Sequence, residues 1–370
     1  MSAGRMGHRG GGRLALAIVL VLLVLGATAG IAIGALRADW RTPYAGYAAG
    51  GVFVEIPHGM REAGIARTLA ASGVLRSEWS FRALALWHRH ARLEAGEYRF
   101  ERPEMPEEVF ETLAHGRIYL VTVTVPEGET MFDIAGLLAA KQVTTREEFL
   151  DAAKSGELVA DLAPGAPSLE GFLFPATYQF PRHQPGEKIA AAMVRRFRES
   201  WTKAVAEVPE GERPSAALGP KEIVTLASLV EKETGVPEER PLVSAVFRNR
   251  LRAGMVLACD PTVIYGLELE GKYNGQLLLA DLRTDSPYNT YRRKGLPPGP
   301  IANPGEASLL AALQPASGEW MYFVATGDGG HAFSRTLAEH NRNVAKYRKK
   351  EAAMRRAARA RAQAAGKPSR

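Results

Sequence analysis

The sequence predicts an α+β protein with a single transmembrane helix near its N-terminus. Three observations support this fold class: an uncharged apolar run at residues 14–36, a strand–helix pattern that occurs twice between residues 51 and 166, and a strong helical pattern at residues 221–234. The 370 residues are 46% hydrophobic and 24% charged. The chain is therefore long enough for about two folded units, and its composition excludes disorder throughout.

The apolar run at residues 14–36 contains no charged side chain. As a helix it would be about 35 Å long, which exceeds the hydrocarbon core of about 30 Å. Three arginines precede the run, and Arg37 and Arg41 follow it. This small bias favours a cytoplasmic N-terminus. A cleaved signal peptide is the alternative, since Ala27-Thr28-Ala29 resembles a cleavage site.

The membrane hypothesis divides the start of the chain into a cytoplasmic tail at residues 1–13, the transmembrane helix, and a linker at residues 37–50. The remaining chain would then lie outside the inner (plasma) membrane of a bacterium, in the periplasm or at the outer face. That placement excludes nucleic acid as a partner and makes cell-envelope polymers the natural substrates.

The net charge of +7 lies in the C-terminal tail. Residues 346–370 contain ten Lys or Arg residues and one Glu, so the other 345 residues sum to −2. One reading of this basic tail is a solvated helix end, and the other is attraction to anionic lipid headgroups or wall polymers. With one Cys and eight His, the chain has no zinc-ligand spacing, and we predict no metal and no cofactor.

An internal repeat follows the linker. The segment Val52–Gly59 alternates apolar residues and ends in Pro-x-Gly, and the same pattern recurs 69 residues later at Val121–Gly128. Each copy continues with the apolar spacing of a helix. The repeat predicts two related strand–helix units, at residues 51–120 and 121–166; two unrelated strand–helix pairs are the alternative.

The clearest helix begins after Pro220 and ends before Gly235. Glu231 lies at the margin of its apolar face, and Glu233 lies at the opposite margin. A carboxyl group partly removed from water keeps its proton closer to neutral pH, as a general acid for a poor leaving group requires. The alternative is an edge carboxylate that reaches water or pairs with a cation.

Several segments combine aromatic residues with Asn, Asp and Thr on loops stiffened by Pro and Gly. Ring faces stack on sugars while amides and carboxylates bond hydroxyls, so the concentration of these segments between residues 169 and 333 favours a carbohydrate site over simple turn chemistry. The segments are 169–178, 259–265, 286–291, 295–301, 303–305 and 330–333.

These motifs resemble those of the endolytic murein transglycosylase (YceG-like) family. The similarity covers about residues 50–347. It is carried by Val230-Glu-Lys-Glu-Thr234, Asp260-Pro-Thr-Val-Ile-Tyr265, Tyr288-Asn-Thr-Tyr291, Gly295-Leu-Pro-Pro-Gly299, Asn303-Pro-Gly305 and Gly330-His-x-Phe333, together with Leu169-Glu-Gly-Phe-Leu-Phe-Pro175.

The resemblance implies LysM-like subdomains before an α+β catalytic domain at residues 167–345 with an open cleft. It implies cleavage between N-acetylmuramic acid and N-acetylglucosamine within peptidoglycan glycan strands, leaving 1,6-anhydro ends and limiting nascent strand length, and it implies association with cell-wall synthases. The catalytic role carries over to Glu231. A non-catalytic peptidoglycan-binding scaffold and a hydrolase that releases reducing ends are the alternatives.

Eight further residues are predicted to bind substrate. They are Glu170, Glu233, Asp260, Tyr265, Tyr288, Asn289, Tyr291 and His331. The chain departs from the family pattern at Ala258 and Cys259, where many members have Gln and a small hydroxyl residue, and at Ala176, where many have Asp. These departures affect the expected hydrogen bonding to sugar groups.

Overall fold

The computed structural model describes residues 11–209 and 218–365, and it divides into two compact units on either side of residue 120. Within these ranges the structure is mixed α and β, with three separate two-stranded antiparallel sheets. The first ten residues of the predicted cytoplasmic tail and the last five of the basic tail lie outside the described residues.

The first unit begins with a long helix, α1 (Gly11–Trp40), which contains the predicted transmembrane run. Its segment Leu16–Trp40 is long and apolar enough to cross a membrane, and the most apolar stretch of it is not buried in the protein. The helix extends beyond the predicted end at residue 36. The predicted linker is packed on the first unit, because Tyr44 forms an antiparallel bridge with Glu104.

A βααβ motif forms the body of the first unit. Its strands pair antiparallel with Val54 opposite Tyr98, and both side chains lie in the core. The elements are β1 (Val52–Ile56), α2 (Glu62–Ala71), α3 (Glu78–Trp87) and β2 (Gly96–Phe100), followed by α4 (Pro106–Ala114).

A second βααβ motif opens the second unit. Its elements are β3 (Val121–Thr124), α5 (Met131–Ala140), α6 (Arg146–Ala153) and β4 (Thr177–Phe180). The helix α5 lies 69 residues after α2, as the repeat predicts. The turns between strand and helix also match, since Gly59 and Gly128 have φ of +78° and +80°, a left-handed conformation that favours glycine. The strand β4 lies beyond residue 166, within the range predicted as the catalytic domain.

The rest of the second unit is mainly helical. Its elements are α7 (Gly186–Glu207), α8 (Pro220–Glu233), α9 (Arg240–Arg252), α10 (Asp260–Leu269), α11 (Glu306–Leu313), β5 (Tyr322–Ala325), β6 (His331–Ser334) and α12 (Leu337–Ala365). A single hydrophobic core runs from Val123 of β3 to Leu313 of α11. The second βααβ motif and the predicted catalytic region therefore share one core.

The helix α8 lies inside this core, packed against α9, α10 and α11. Pro220 at its first turn suits a helix start, because the missing N–H is one that no helical carbonyl would accept. Residues 223–230 are all buried, so burial extends further around the helix than its amphipathic pattern predicts. The buried hydroxyl of Ser228 has partners for both of its hydrogen-bonding roles. It donates to the Thr225 carbonyl and accepts from the Ile301 N–H.

Candidate active site

Glu231 lies in the last turn of α8, where the helix leaves the core. Its side chain is only 7% exposed. Ala227 and Val224, which lie one and two turns earlier on the same side of the helix, are fully buried. A carboxylate this far from water requires hydrogen-bond partners to offset its lost hydration.

Two donors meet the Glu231 carboxylate. Arg240 Nη2, from the first turn of α9, lies 3.4 Å from Oε1, and the backbone N–H of Gly305 donates to Oε2 at 3.0 Å. Arg240 is itself 10% exposed on its side chain. Gly305 precedes the first residue of α11. The end of one helix and the starts of two others thus converge on one carboxylate.

A second carboxylate, that of Glu127, lies beside this group. Glu127 Oε2 is 4.0 Å from Arg240 Nη2, and a Cβ atom added to Gly305 would overlap the Glu127 carboxyl group. Partial burial raises the pKa of Glu127, and the negative charge of Glu231 raises it further, against the opposing effect of Arg240. Two carboxylates therefore share one guanidinium.

The turn at residues 126–128 is fixed against the loop that carries Gly305. Gly128 N–H donates to the Asn303 carbonyl at 2.8 Å, and Asn303 N–H donates to the Glu129 carbonyl at 3.0 Å. Lys232 Nζ also donates to the Gly128 carbonyl. These bonds hold the turn of the second βααβ motif beside Glu231.

Glu170 is buried beneath the same loops. Its carboxyl oxygens accept hydrogen bonds from the Met131 N–H at 2.9 Å and from Asn303 Nδ2 at 2.7 Å. Burial raises the pKa of Glu170 to about 8, although the bond from Met131 opposes this shift. The structure thus places Glu170, a predicted substrate-binding residue, as a buried link between α5 and the Asn303 loop.

A separate polar group lies near the other margin of α8. Burial raises the pKa of Glu233, a hydrogen bond with Cys259 lowers it, and the charges of Asp260 and His331 act on it in opposite directions. Asp260, the first residue of α10, is exposed and accepts a hydrogen bond from the Tyr291 hydroxyl. Four of the predicted substrate-binding residues are therefore brought together.

Glu239 connects the polar group around Glu233 with the group of residues around Glu231. Both the backbone N–H and ring Nδ1 of His331 lie 2.7 Å from its carboxylate oxygens, and Thr234 donates to it at 3.0 Å. Burial opposes ionisation, but the hydrogen bonds from His331 and Thr234 outweigh it and lower the pKa of Glu239. Because Arg240 follows Glu239 in the chain, adjacent residues bind the two groups on either side of α8.

The remaining predicted residues are buried. Tyr265 packs edge-on against Tyr288, with ring centroids 5.1 Å apart. Asn289 is fully buried, and its Nδ2 donates to the carbonyls of Leu282 and Thr284. The two tyrosine rings and the Asn289 amide therefore make contacts inside the protein, with each other or with neighbouring loop residues.

Three residues depart from the family pattern. Ala258 and Cys259 lie next to Asp260 of the polar group, and Ala176 immediately precedes β4. Ala258 has φ of +50°, a strained value for a residue other than glycine. Cys259 is buried, and its N–H donates to Thr290 Oγ1. Ala176 contributes its carbonyl, which accepts from Val125 N–H at 2.9 Å.

Sequence reasoning missed Arg240, Glu127 and the backbone N–H of Gly305 as members of the site. A signal existed for two of them, since Glu127 occupies the Pro-x-Gly turn of the repeat and Gly305 ends a motif. No sequence signal marked Arg240, because its partners are identified only by folding. Among the described residues, no group of three or more His, Cys, Asp or Glu side chains could hold a metal ion.

Comparison with known proteins gives consistent matches. A family model described as the YceG-like family matches residues 54–346. An endolytic murein transglycosylase of Bacillus subtilis is 32% identical over 312 residues, which cover 80% of this chain and 84% of that protein. An endolytic murein transglycosylase of Streptococcus pneumoniae is 28% identical, over 80% of this chain and 58% of that protein.

A solved structure agrees with these matches. The crystal structure of a YceG-like protein of Listeria monocytogenes is 32% identical and covers 80% of this chain and 99% of that chain, with a TM-score of 0.52. The fold of this chain is therefore YceG-like, as its sequence motifs predict. With the family model covering most of its length, the chain belongs to the YceG-like family.

Proposed function

We propose that this protein acts as an endolytic murein transglycosylase, with Glu231 as the catalytic residue. The enzyme class, a lytic transglycosylase, is that of its named relatives. The substrate is the glycan strand of peptidoglycan, cut between N-acetylmuramic acid and N-acetylglucosamine. The observation that carries the residue assignment is the nearly buried carboxylate of Glu231, held by Arg240 and Gly305.

The proposed reaction uses this carboxyl group twice. Protonated Glu231 donates its proton to the glycosidic oxygen, and the bond between that oxygen and C1 of the muramic acid breaks. The resulting carboxylate takes the proton of the C6 hydroxyl as O6 attacks C1. A 1,6-anhydro ring closes, the acid is regenerated and no water is consumed.

An intramolecular nucleophile explains why one carboxylate is enough. Ordinary glycosidases need a second carboxylate at a defined distance to activate water or to attack C1. Here the C6 hydroxyl is already held next to C1, which provides the advantage of proximity. The Gly305 N–H and Arg240 then stabilise the carboxylate that exists between the two proton transfers.

The other predicted residues take two roles in this proposal. Asp260, Tyr291, His331 and Glu233 form the polar group that binds sugar hydroxyls. Glu170, Tyr265, Tyr288 and Asn289 hold the surrounding loops in place, because their side chains are buried.

The N-terminal helix fits single-pass membrane anchoring by its length and composition. We propose that it crosses the bacterial inner membrane with the N-terminus in the cytoplasm and with both folded units outside. The two βααβ motifs would serve as LysM-like glycan-binding units. Limiting nascent strand length beside the cell-wall synthases is the role that this placement favours.

The experiment is mass spectrometry of products from uncrosslinked glycan strands incubated with the full chain in detergent. We expect internal fragments with 1,6-anhydro-muramic acid ends from the wild type. The Glu231→Gln variant should yield none. Glu233→Gln, a change of the same kind two residues away, should yield the same 1,6-anhydro ends at a lower rate, because Glu233 serves in sugar binding alone.

Three results would contradict the proposal. Reducing-end products would identify a hydrolase, and strand binding without any product would identify a scaffold. Products retained by Glu231→Gln but lost in Glu233→Gln would transfer the catalytic role to Glu233.

A further inference from the structure

The helix α3 carries large apolar side chains on its outer surface. Trp79, Leu86 and Trp87 are 62%, 76% and 82% exposed, while Phe81 and Leu84 of the same helix are buried in the core. Residues 79, 86 and 87 are spaced by seven and eight positions, so they lie along one side of the helix. Single exposed apolar side chains are common on proteins, but a cluster of large ones usually marks an interaction surface.

This surface lies beside the end of α1. Trp40 Nε1, at the last residue of α1, donates to the Ser80 carbonyl of α3 at 3.1 Å. A groove beside the two helices is lined by Leu36 of α1 and by Trp79, Arg82 and Leu86 of α3, and its third side is formed by Glu62 and Ala63 of α2. Trp79 and Leu86 of α3 are thus level with Leu36.

Leu36 is the last residue of the apolar run, and this fixes its depth in a membrane that α1 spans. The uncharged residues 14–36 are followed at once by Arg37. A helix that rises about 1.5 Å per residue passes through a hydrocarbon core of about 30 Å within this run. When α1 spans a membrane, Leu36 therefore lies where the hydrocarbon gives way to the headgroups.

The chemistry of the α3 surface suits that depth. Tryptophan is enriched at membrane interfaces, where one part of its ring is apolar and the N–H is wet. The guanidinium of Arg82 lies 4.5 Å from the centre of the Trp79 ring. Arg89 and Arg92 follow the helix and are exposed, and such cations attract anionic headgroups.

We propose that Trp79, Leu86 and Trp87 of α3 insert into the headgroup region of the membrane that α1 spans, so that the first βααβ motif lies against the bilayer. The occupant of this surface is the lipid bilayer. The proposal depends on the anchoring role given to α1 above. Its consequence is that the first unit has a fixed orientation on the membrane and does not swing on a tether.

The test uses tryptophan quenching by lipids with brominated acyl chains. The full chain is reconstituted into phosphatidylethanolamine and phosphatidylglycerol vesicles, with and without bromine, and the quenched fraction of the emission is measured. The test variant is Trp79→Phe with Trp87→Phe. The matched control is Trp201→Phe with Trp320→Phe, which replaces two tryptophans of the second unit.

We expect the quenched fraction to fall in the test variant and not in the control. An equal quenched fraction in the wild type and the test variant would overturn the proposal. Flotation of the chain with vesicles after alkaline extraction separately reports whether α1 is inserted. Flotation with unchanged quenching would thus reject the α3 surface alone, whereas loss of flotation would reject the anchor on which the proposal depends. Circular dichroism confirms that each variant is folded.

Discussion

The positive charge of Arg240 next to the Glu231 carboxylate is balanced in part by a second carboxylate, that of Glu127. Arg240 lies near both Glu231 and Glu127, at 3.4 and 4.0 Å. Glu127 offsets part of that positive charge while remaining half-exposed. Its contribution to the site is therefore electrostatic, and it can be changed without disturbing the core.

Gly305→Ala is expected to slow glycan cleavage about tenfold, because losing one charge contact of about 1.4 kcal/mol in the transition state corresponds to a factor of ten in rate. The new methyl group would occupy the position of the Glu127 carboxyl group and move this flexible side chain away from Arg240. Initial rates of anhydro-product formation measure the effect. Gly235→Ala is the matched control, because a Cβ atom there has no atom within 4 Å.

The route of this effect is tested by combining variants. If Gly305→Ala acts through Glu127, then adding it to Glu127→Gln should produce no further loss, because neighbouring changes that remove one interaction are not additive. Independent losses that multiply in the double variant would show that the methyl group acts elsewhere.

Glu170 makes the stability of the second unit depend on pH. Burial raises its pKa from 4.5 to about 8, so the folded protein holds a proton that the unfolded chain releases above about pH 4.5. Stability should therefore fall as pH rises from about 5 to 8. Burial also raises the pKa of nearby Glu268, to about 7, which contributes in the same direction.

The melting temperature of the detergent-solubilised chain, measured between pH 5 and pH 8, tests this. Glu170→Gln should flatten the decline, because a neutral amide has no proton to release. Glu270→Gln, at an exposed position two residues after Glu268, should leave it unchanged. A decline as steep in Glu170→Gln as in the wild type would show that other groups control it.

At the scale of elements, the sequence predicts best where the signal is local. Pro220 and Gly235 mark the ends of α8, and the apolar spacing between them marks a helix. The repeat also predicts the position of α5 relative to α2, because both helices follow the same Pro-x-Gly turn. These features depend on residues a few positions apart.

Pairing over long distances explains what the sequence misses. The strand β4 lies partly in a segment that composition assigns to a loop, and it becomes a strand by pairing with β3 more than 50 residues earlier. The contacts of Glu231 with Gly305, and of residues 126–130 with Asn303, likewise join distant segments. The sequence pattern names Glu231 as one of two candidate carboxylates and the family resemblance selects it, but its partners are determined by the fold.

At the scale of the whole molecule, the positive charge is concentrated at the C-terminus. The helix α12 continues from the folded unit into the basic tail as far as Ala365, and the described side chains from 352 to 358 are all exposed. This stretch lies beyond the range matched by the family model. The net charge of +9 over residues 346–370, part of it on exposed side chains of α12, is suited to attract anionic polymers through long-range electrostatics.

Truncation after Ala345 should therefore weaken binding of the detergent-solubilised chain to purified cell-wall sacculi at low ionic strength. The difference should disappear at about 0.5 M salt, where the Debye length is only a few ångströms. Pelleting with sacculi over a salt series measures it. A full-length variant with Lys349, Arg355 and Arg356 changed to Gln should lose part of the same binding, which separates charge from length. Equal binding by all three proteins at low salt would mean that the tail is a solvated helix end, and that attachment to the wall depends on the folded units alone.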